Sequence, residues 1–398
     1  MPRSVALGLA GAPTVVVEAS LRACRDVLAR VCDVRGITGG PNGLVEGAFA
    51  SLDAARLSSA PVAGCVLGSG RRALTSQDIA AIVDRLEAAR IDALVLAGGN
   101  GTMALLDAVD AESRSRDLSL QTVGIPKTID NDLLAVDFSP GFGSASRYLR
   151  LTVPGISRDH STMSSIEPIR VVETMGRGTG WLAAAATAAL VLENANLAAD
   201  LCLIPERSDI TIPQILDVVE NALTAQSRAF LVCSEGFPFS GSRDDYRAGN
   251  HSTLLLGGVS RRLARMLEAQ FDRPARGEVL GTQQRSAYSF ASAADLECAR
   301  LTGEWAGRYV LEGRRGVMAG TRRLGSTPLA LAVEPVPLAG VAGRTKPLPE
   351  EFWPADLQRQ ERFGEWLRPI IDAGISGPGR SHDGDSSQAG SISRWWRR

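Results

Sequence analysis

Residues 92–102 read Asp92-Ala93-Leu94-Val95-Leu96-Ala97-Gly98-Gly99-Asn100-Gly101-Thr102. The apolar run from Ala93 shows no alternation, the pattern of a strand buried on both faces. The glycines let the chain turn tightly, and a helical pattern then runs through Val109. Strand, glycine turn and helix form the unit of an α/β doubly wound sheet. Such a turn leaves backbone N–H groups at a helix start, where phosphate oxygens can bind. Taken alone the turn is weak evidence for phosphate, so its neighbours decide.

Outward from it the same rhythm repeats. Ser4–Leu9 reads as a strand, Glu18–Val31 as a helix and Val62–Leu67 as a second strand. Ser76–Ala89 is an amphipathic helix with Ile79, Ile82, Val83 and Leu86 on one face, and Thr122–Ile125 is another strand. A new set begins near 143 with a helix to about Leu151. It continues with strand Ile169–Thr174, helix Gly180–Leu192, strand Leu201–Ile204, helix Ile212–Ala225 and strand Ala229–Ser234. A helix over 252–271 then leads to Val279–Gln284 and a helix over 292–312. From Ser376 the chain is rich in Gly, Ser and Asp, which predicts a disordered tail over 376–398.

At 398 residues the chain has room for two domains with substantial cores. A formal net charge of −1 offers no electrostatic case for nucleic acid or an anionic membrane. Six cysteines without a CxxC pair read as reduced core residues of a cytoplasmic protein, and the three histidines lack ligand spacing. No stretch reads as a signal peptide or a membrane span, Trp181–Leu192 being too short.

The chemistry gathers after strands. Pro126-Lys127-Thr128-Ile129-Asp130-Asn131-Asp132 follows one, and Lys127 is one of two lysines among the 43 basic residues. A compact cation, a hydroxyl and two carboxylates suit phosphoryl transfer: the cation meets phosphate and a carboxylate takes the proton of an attacking hydroxyl. Met alone, the same cluster would read as a polar, capped turn. Glu173-Thr174-Met175-Gly176-Arg177-Gly178-Thr179-Gly180 is again strand to helix, with Arg177 placed to bind phosphate or a transferring charge. Ser234-Glu235-Gly236 closes a further strand, and Arg276, Gln284 and Arg285 flank Leu280-Gly281.

Together these segments resemble the ATP- and pyrophosphate-dependent 6-phosphofructokinases over roughly residues 4–325. The glycine turn, PKTIDND at 126–132, VVETMGRGTGWLA at 171–183, IPE at 204–206, SEG at 234–236 and LGTQQR at 280–285 carry the likeness. It implies two Rossmann-like three-layer domains with the active site in the cleft between them. The donor-binding domain would hold 1–142 plus about 277–316. The sugar-phosphate domain would hold 143–276 plus about 317–335, with a C-terminal extension over 336–375. It also implies roles: Asp130 as catalytic base, Thr128 and Asp132 around the attacking hydroxyl and the transferred phosphoryl, and Met175, Gly176 and Arg177 as substrate and phosphoryl contacts. Glu235 would hold sugar hydroxyls, with Arg276 and Arg285 near the sugar phosphate. Gly11, Arg71, Gly99, Asn100, Gly101 and Thr102 would bind the donor, and Asn100 with Asp132 would serve Mg²⁺. A homodimer or homotetramer is expected, because in this family arginines of a neighbouring subunit complete the sugar-phosphate site.

The donor stays open between ATP and pyrophosphate. In the family, glycine at position 101 goes with ATP and lysine at 127 with many pyrophosphate users, and this chain has both. Departures are as telling. Asn100 replaces the usual metal-associated Asp, Ala12 a glycine, Glu18 an asparagine, Thr282 a histidine and Pro168 an arginine. Three readings follow: a 6-phosphofructokinase, a same-mechanism kinase for another phosphosugar such as sedoheptulose 7-phosphate, or a non-catalytic paralogue that binds such ligands.

Overall fold

The structure, a computed structural model, describes residues 4–70, 72–238, 257–326 and 329–372. The predicted tail over 376–398, residues 252–256 and Arg71 lie outside the described residues. Two sheets organise the rest. The first runs β11-β10-β5-β4-β1-β2-β3. Its elements are β1 (Ser4–Leu9), β2 (Asp33–Ile37), β3 (Phe49–Ser51), β4 (Ala93–Gly98), β5 (Gln121–Pro126), β10 (Val317–Ser326) and β11 (Leu329–Pro337). β1, β2, β4, β5 and β10 are parallel, while β3 and β11 pair antiparallel at the two edges. The second sheet is parallel throughout, in the order β7 (Leu201–Leu203), β8 (Ala229–Ser234), β6 (Ile169–Thr174), β9 (Ala275–Val279).

Register brings the functional turns together. Leu9 lies beside Ala97 and Gly98 beside Pro126, so β1, β4 and β5 end at one level. The order reverses around β1, since β2 lies on one side and β4 on the other. That reversal opens the crevice in which doubly wound sheets bind ligands. In the second sheet Thr174 lies beside Ser234 and Glu173 beside Val279, which aligns the carboxyl ends of β6, β8 and β9.

Helices cover the sheets: α1 (Val17–Leu28), α2 (Pro41–Glu46), α3 (Ser76–Ala88), α4 (Asn100–Ser115), α5 (Phe142–Met163), α6 (Trp181–Glu193), α7 (Ile212–Gln226), α8 (Val259–Phe271), α9 (Gln283–Ser286), α10 (Ala293–Leu311) and α11 (Leu357–Ile371). α6 is buried almost all round, as its alanine-rich sequence requires. Among the described residues no helix is long and apolar enough to cross a membrane.

Several expectations need correction. Val62–Leu67 is not a strand; the strand beside β1 is β2, whose Arg35 and Gly36 break the apolar run. Residues 58–70 form a loop held by Glu18, whose carboxylate accepts Ser58 N–H at 2.8 Å and Val66 N–H at 2.7 Å. Glu18, read as a departure at the donor site, is therefore a buried brace for that loop. The helix from 143 runs on through Pro154 to Met163, and Val279–Gln284 divides into the last residue of β9 and the start of α9. The strands β10 and β11 carry 317–335 into the first sheet, through Met318 beside Gly124, rather than the second. The C-terminal extension is core: Phe363, Leu367, Ile370 and Ile371 of α11 are buried in one cluster with Trp181 and Phe142.

Candidate active site

A cavity of about 760 Å³ opens where the strand ends of the two sheets face each other. From the first sheet it receives the 10–14 turn, the Gly99–Thr102 turn and Lys127–Asp132. From the second it receives Met175, Arg177, Glu235 and Arg285.

The Gly98–Thr102 turn is fitted to its conformation. A Cβ on Gly98 would fall 1.9 Å from Thr102 Oγ1, so only glycine lets α4 start there. A Cβ on Gly101, by contrast, meets nothing within 4 Å and would project into open space. Thr102 N–H and Met103 N–H donate back to Gly99 O at 2.9 and 3.1 Å, which leaves the N–H groups ahead of them at the start of α4 for an anion. Beyond this turn the cavity is walled by Leu74, Ile79, Ala104, Leu105 and Ala108, an apolar slot between α3 and α4.

Lys127 is 4% exposed and anchors the floor. Its ammonium donates to Ala12 O at 2.6 Å and Ala10 O at 3.3 Å, which ties the end of β5 to the turn after β1. Next to it the loop reverses at Asn131, a fully buried residue with φ +50°. Asn131 Oδ1 accepts Ser139 N–H at 3.0 Å and its Nδ2 donates to Asp137 O at 3.2 Å. Asparagine tolerates that left-handed conformation better than most residues. The sequence reading gave Asn131 no role; it is the scaffold that sets Asp130 and Asp132 on the cavity wall. Asp130 N–H donates to Thr128 Oγ1 at 3.1 Å, and Asp130 O accepts Thr179 Oγ1–H at 3.2 Å, which links the two sheets.

Asn100 Nδ2 donates to Asp132 Oδ2 at 2.8 Å and to Asp132 O at 3.1 Å. Asn100 Oδ1 and Asp132 Oδ1 are buried without a hydrogen-bond partner among the described residues. Two orphaned oxygens on a hydrogen-bonded pair of side chains at the helix start suit a hard cation that keeps most of its waters. They hold one negative charge in place of two. No cluster of three or more His, Cys, Asp or Glu suited to a metal occurs among the described residues.

On the opposite wall, Gly176 has φ +124° and its carbonyl accepts Ser234 Oγ–H and, at 3.1 Å, Gly236 N–H. A Cβ on Gly236 would lie 2.0 Å from Arg177 O. These glycines let the Met175–Gly178 turn and the Ser234–Gly236 turn interlock, which presents Arg177 and Glu235 to the cavity. Gly176 itself shapes the turn and does not line the cavity. Gln284, 2% exposed, accepts Met175 N–H at 3.1 Å and so seats the 281–286 segment, with Arg285 on the wall.

Arg276 does not join this group. It stands near the amino end of β9, beside Arg170 of β6, and its guanidinium pairs with Glu167 at 2.5 Å. The spacing from Leu280-Gly281 did not reveal which end of the strand it occupies. Arg170, close in sequence to the missing arginine at Pro168, is buried in the same outward network with Glu167 at 2.9 Å and Glu278 at 2.6 Å. Thr282 starts α9 and does not line the cavity.

Two cations escaped the sequence reading. Arg72 lines the cavity and pairs with Asp78 at 2.6 Å. Lys346 lies behind the 130–137 loop, and burial pushes its pKa down to about 7. No local pattern marks either one.

The chain matches the family described as Phosphofructokinase over residues 4–305. It is 32% identical over 377 residues to a sulfofructose kinase of Alkalicoccus urumqiensis, covering 92% of this chain and 95% of that protein. It is also 32% identical over 262 residues to a pyrophosphate–fructose 6-phosphate 1-phosphotransferase of Halomonas elongata, covering 63% of this chain and 61% of that protein. Among solved structures, a pyrophosphate-dependent phosphofructokinase from Marinobacter aquaeolei superposes with a TM-score of 0.78 at 23% identity, covering 96% of this chain and 94% of that one.

Proposed function

This chain belongs to the phosphofructokinase family of phosphotransferases, and on that premise we propose that it moves the terminal phosphoryl group of ATP to the 1-hydroxyl of fructose 6-phosphate. The observation that carries the reading is the single cavity that joins Asp130 and the start of α4 on one wall to Arg177 and Glu235 on the other. In-line transfer needs a base for the attacking hydroxyl on one side and cations around the transferring group on the other.

Asp130 takes the hydroxyl proton as the new O–P bond forms and the bond from the γ-phosphorus to the β–γ bridging oxygen breaks, so that ADP leaves. The N–H groups at the start of α4 ahead of Thr102, with Lys127 and Arg177, offset the charge on the transferring group. Glu235 accepts from sugar hydroxyls. Asn100 Oδ1 and Asp132 Oδ1 would hold Mg²⁺, which when bound neutralises donor phosphate charge. The open space at Gly101, continuous with the apolar slot between α3 and α4, supports ATP over pyrophosphate: pyrophosphate has no base or sugar to fill that slot.

A second acceptor has its own support. The likeness to a sulfofructose kinase runs nearly end to end, and the described arginines on the acceptor wall are Arg177 and Arg285, Arg276 being turned outward to Glu167. A sulfonate carries one negative charge against about two for a phosphate monoester at pH 7, so such a wall suits sulfofructose. For Arg276 to reach a sugar phosphate it would have to serve a neighbouring copy, which favours a homodimer or homotetramer; sedimentation of the purified chain tests this.

A coupled assay tests the function by crossing ATP and pyrophosphate with fructose 6-phosphate, sulfofructose and sedoheptulose 7-phosphate. Turnover with ATP and fructose 6-phosphate supports the first reading. Turnover with sulfofructose alone supports the second. Binding without turnover for every pair rejects both and favours a non-catalytic paralogue.

A further inference from the structure

Residues 345–348 strap the back of the loop that carries Asp130 and Asp132. Thr345 forms an antiparallel bridge with Leu133, and Lys346 N–H donates to Asp132 O at 2.8 Å. The Lys346 ammonium turns inward and donates to Val136 O at 2.5 Å and Asp137 O at 3.1 Å. It lies 4.7 Å from the ring centroid of Trp181, the first residue of α6, whose Nε1–H donates to Lys346 O at 3.4 Å. Two residues on, Leu348 N–H donates to Glu206 Oε1 at 2.8 Å, the oxygen that also accepts Gly180 N–H at 3.1 Å. The strap therefore touches both walls of the cavity: the loop after β5, and the turn after β6 that presents Arg177.

Drawing an ammonium out of water is unfavourable unless acceptors replace the lost hydration. Here two carbonyls and an indole face replace it. A side chain that only filled this space would need no charge. What the charge adds is a fixed direction for the carbonyls at 136 and 137, and hence for the loop that precedes them.

We propose that Lys346 is a positioning residue for phosphoryl transfer, clamping the 130–137 loop against α6 so that Asp130 and Asp132 keep their places relative to Arg177. The part of this that concerns transfer rests on the function proposed above; the clamp does not. The experiment is amide hydrogen exchange on the full chain, wild type beside Lys346→Met and Lys346→Arg, together with kcat and KM for ATP and fructose 6-phosphate.

The expected result in Lys346→Met is exchange over 130–137 at least about tenfold faster, with β1 and β4 unchanged. With it, kcat falls about 10–100-fold while both KM values stay within about threefold. Lys346→Arg, which keeps a cation over Trp181, restores part of the protection. Where the methionine variant fails to fold, Lys346→Gln takes its place, since it keeps one donor and loses the charge. Unchanged exchange over 130–137 overturns the proposal whatever the activity. A loosened loop with unchanged kcat overturns it too. Faster loop exchange in a chain whose wild type transfers nothing upholds the clamp and rejects the functional reading instead.

Discussion

Asn100 holds the Asp132 carboxylate through a 2.8 Å hydrogen bond from its amide, where two carboxylates would repel each other. The amide keeps Asp132 oriented without a cation, at the cost of half the charge a cation would meet. Asn100→Asp should therefore lower the Mg²⁺ concentration at half-effect about tenfold, and lower the thermal midpoint of the metal-free chain. Following the midpoint during a Mg²⁺ titration checks both. An unchanged titration would remove Asn100 and Asp132 as the metal ligands.

Asp130 is the carboxylate assigned to the hydroxyl proton. Asp130→Ser should lower kcat about 10³–10⁴-fold with acceptor KM nearly unchanged, because losing a general base acts on the chemical step. Steady-state kinetics against the acceptor checks this. An equal loss in binding and turnover would make Asp130 a binding group.

Gly101 faces open space, so a larger side chain enters the donor slot without disturbing the fold. Gly101→Asp should raise KM for ATP at least about tenfold through repulsion of the donor phosphates. Turnover with pyrophosphate should suffer less. Stability should hold, since an acidic residue suits the first turn of α4. Equal penalties for the two donors would place the nucleoside elsewhere.

Asp295 gives the fold a pH dependence. Burial pushes its pKa up to about 6, against opposing hydrogen bonds from Ser144 and Gly141, whose N–H groups donate at 2.9 Å each. The folded pKa lies above the unfolded one. Its contribution to stability is therefore complete below about pH 4 and lost as pH rises through about 6, a change of about 3 kcal/mol. Asp295→Asn should flatten the thermal midpoint across that window. A variant as pH-dependent as the wild type would assign the effect to other groups.

Much of this was legible in sequence, for reasons particular residues make plain. Ile169–Thr174 and Ala229–Ser234 are strands to the residue as read: both are buried throughout, the second almost wholly apolar and the first centred on Val171 and Val172. PKTIDND and the glycine turns were found because their chemistry is local. What escaped depends on distant partners. Val62–Leu67 looks like a strand, but Val66 N–H belongs to Glu18, across the chain. β2 was hidden by Arg35 and Gly36. Arg276 stands near the amino end of β9, a strand that runs over Ala275–Val279 rather than Val279–Gln284. Lys346 lies in a segment without a pattern, and only tertiary contact shows its place.

The strap also sets a schedule. More than two hundred residues separate Asp132 from Lys346, so at synthesis rates of ~5–20 residues per second the loop waits ~10–40 s for the lysine that fixes it. Until then the nascent chain carries its acidic groups on an unsecured segment. Both sheets take all their strands from residues before 338, so they are complete in sequence before Lys346 is made. Catalytic competence thus waits for residues made after both sheets, and a ribosome that stalls after β11 leaves a chain with the strands of both sheets but without its clamp or the α11 residues that complete the core.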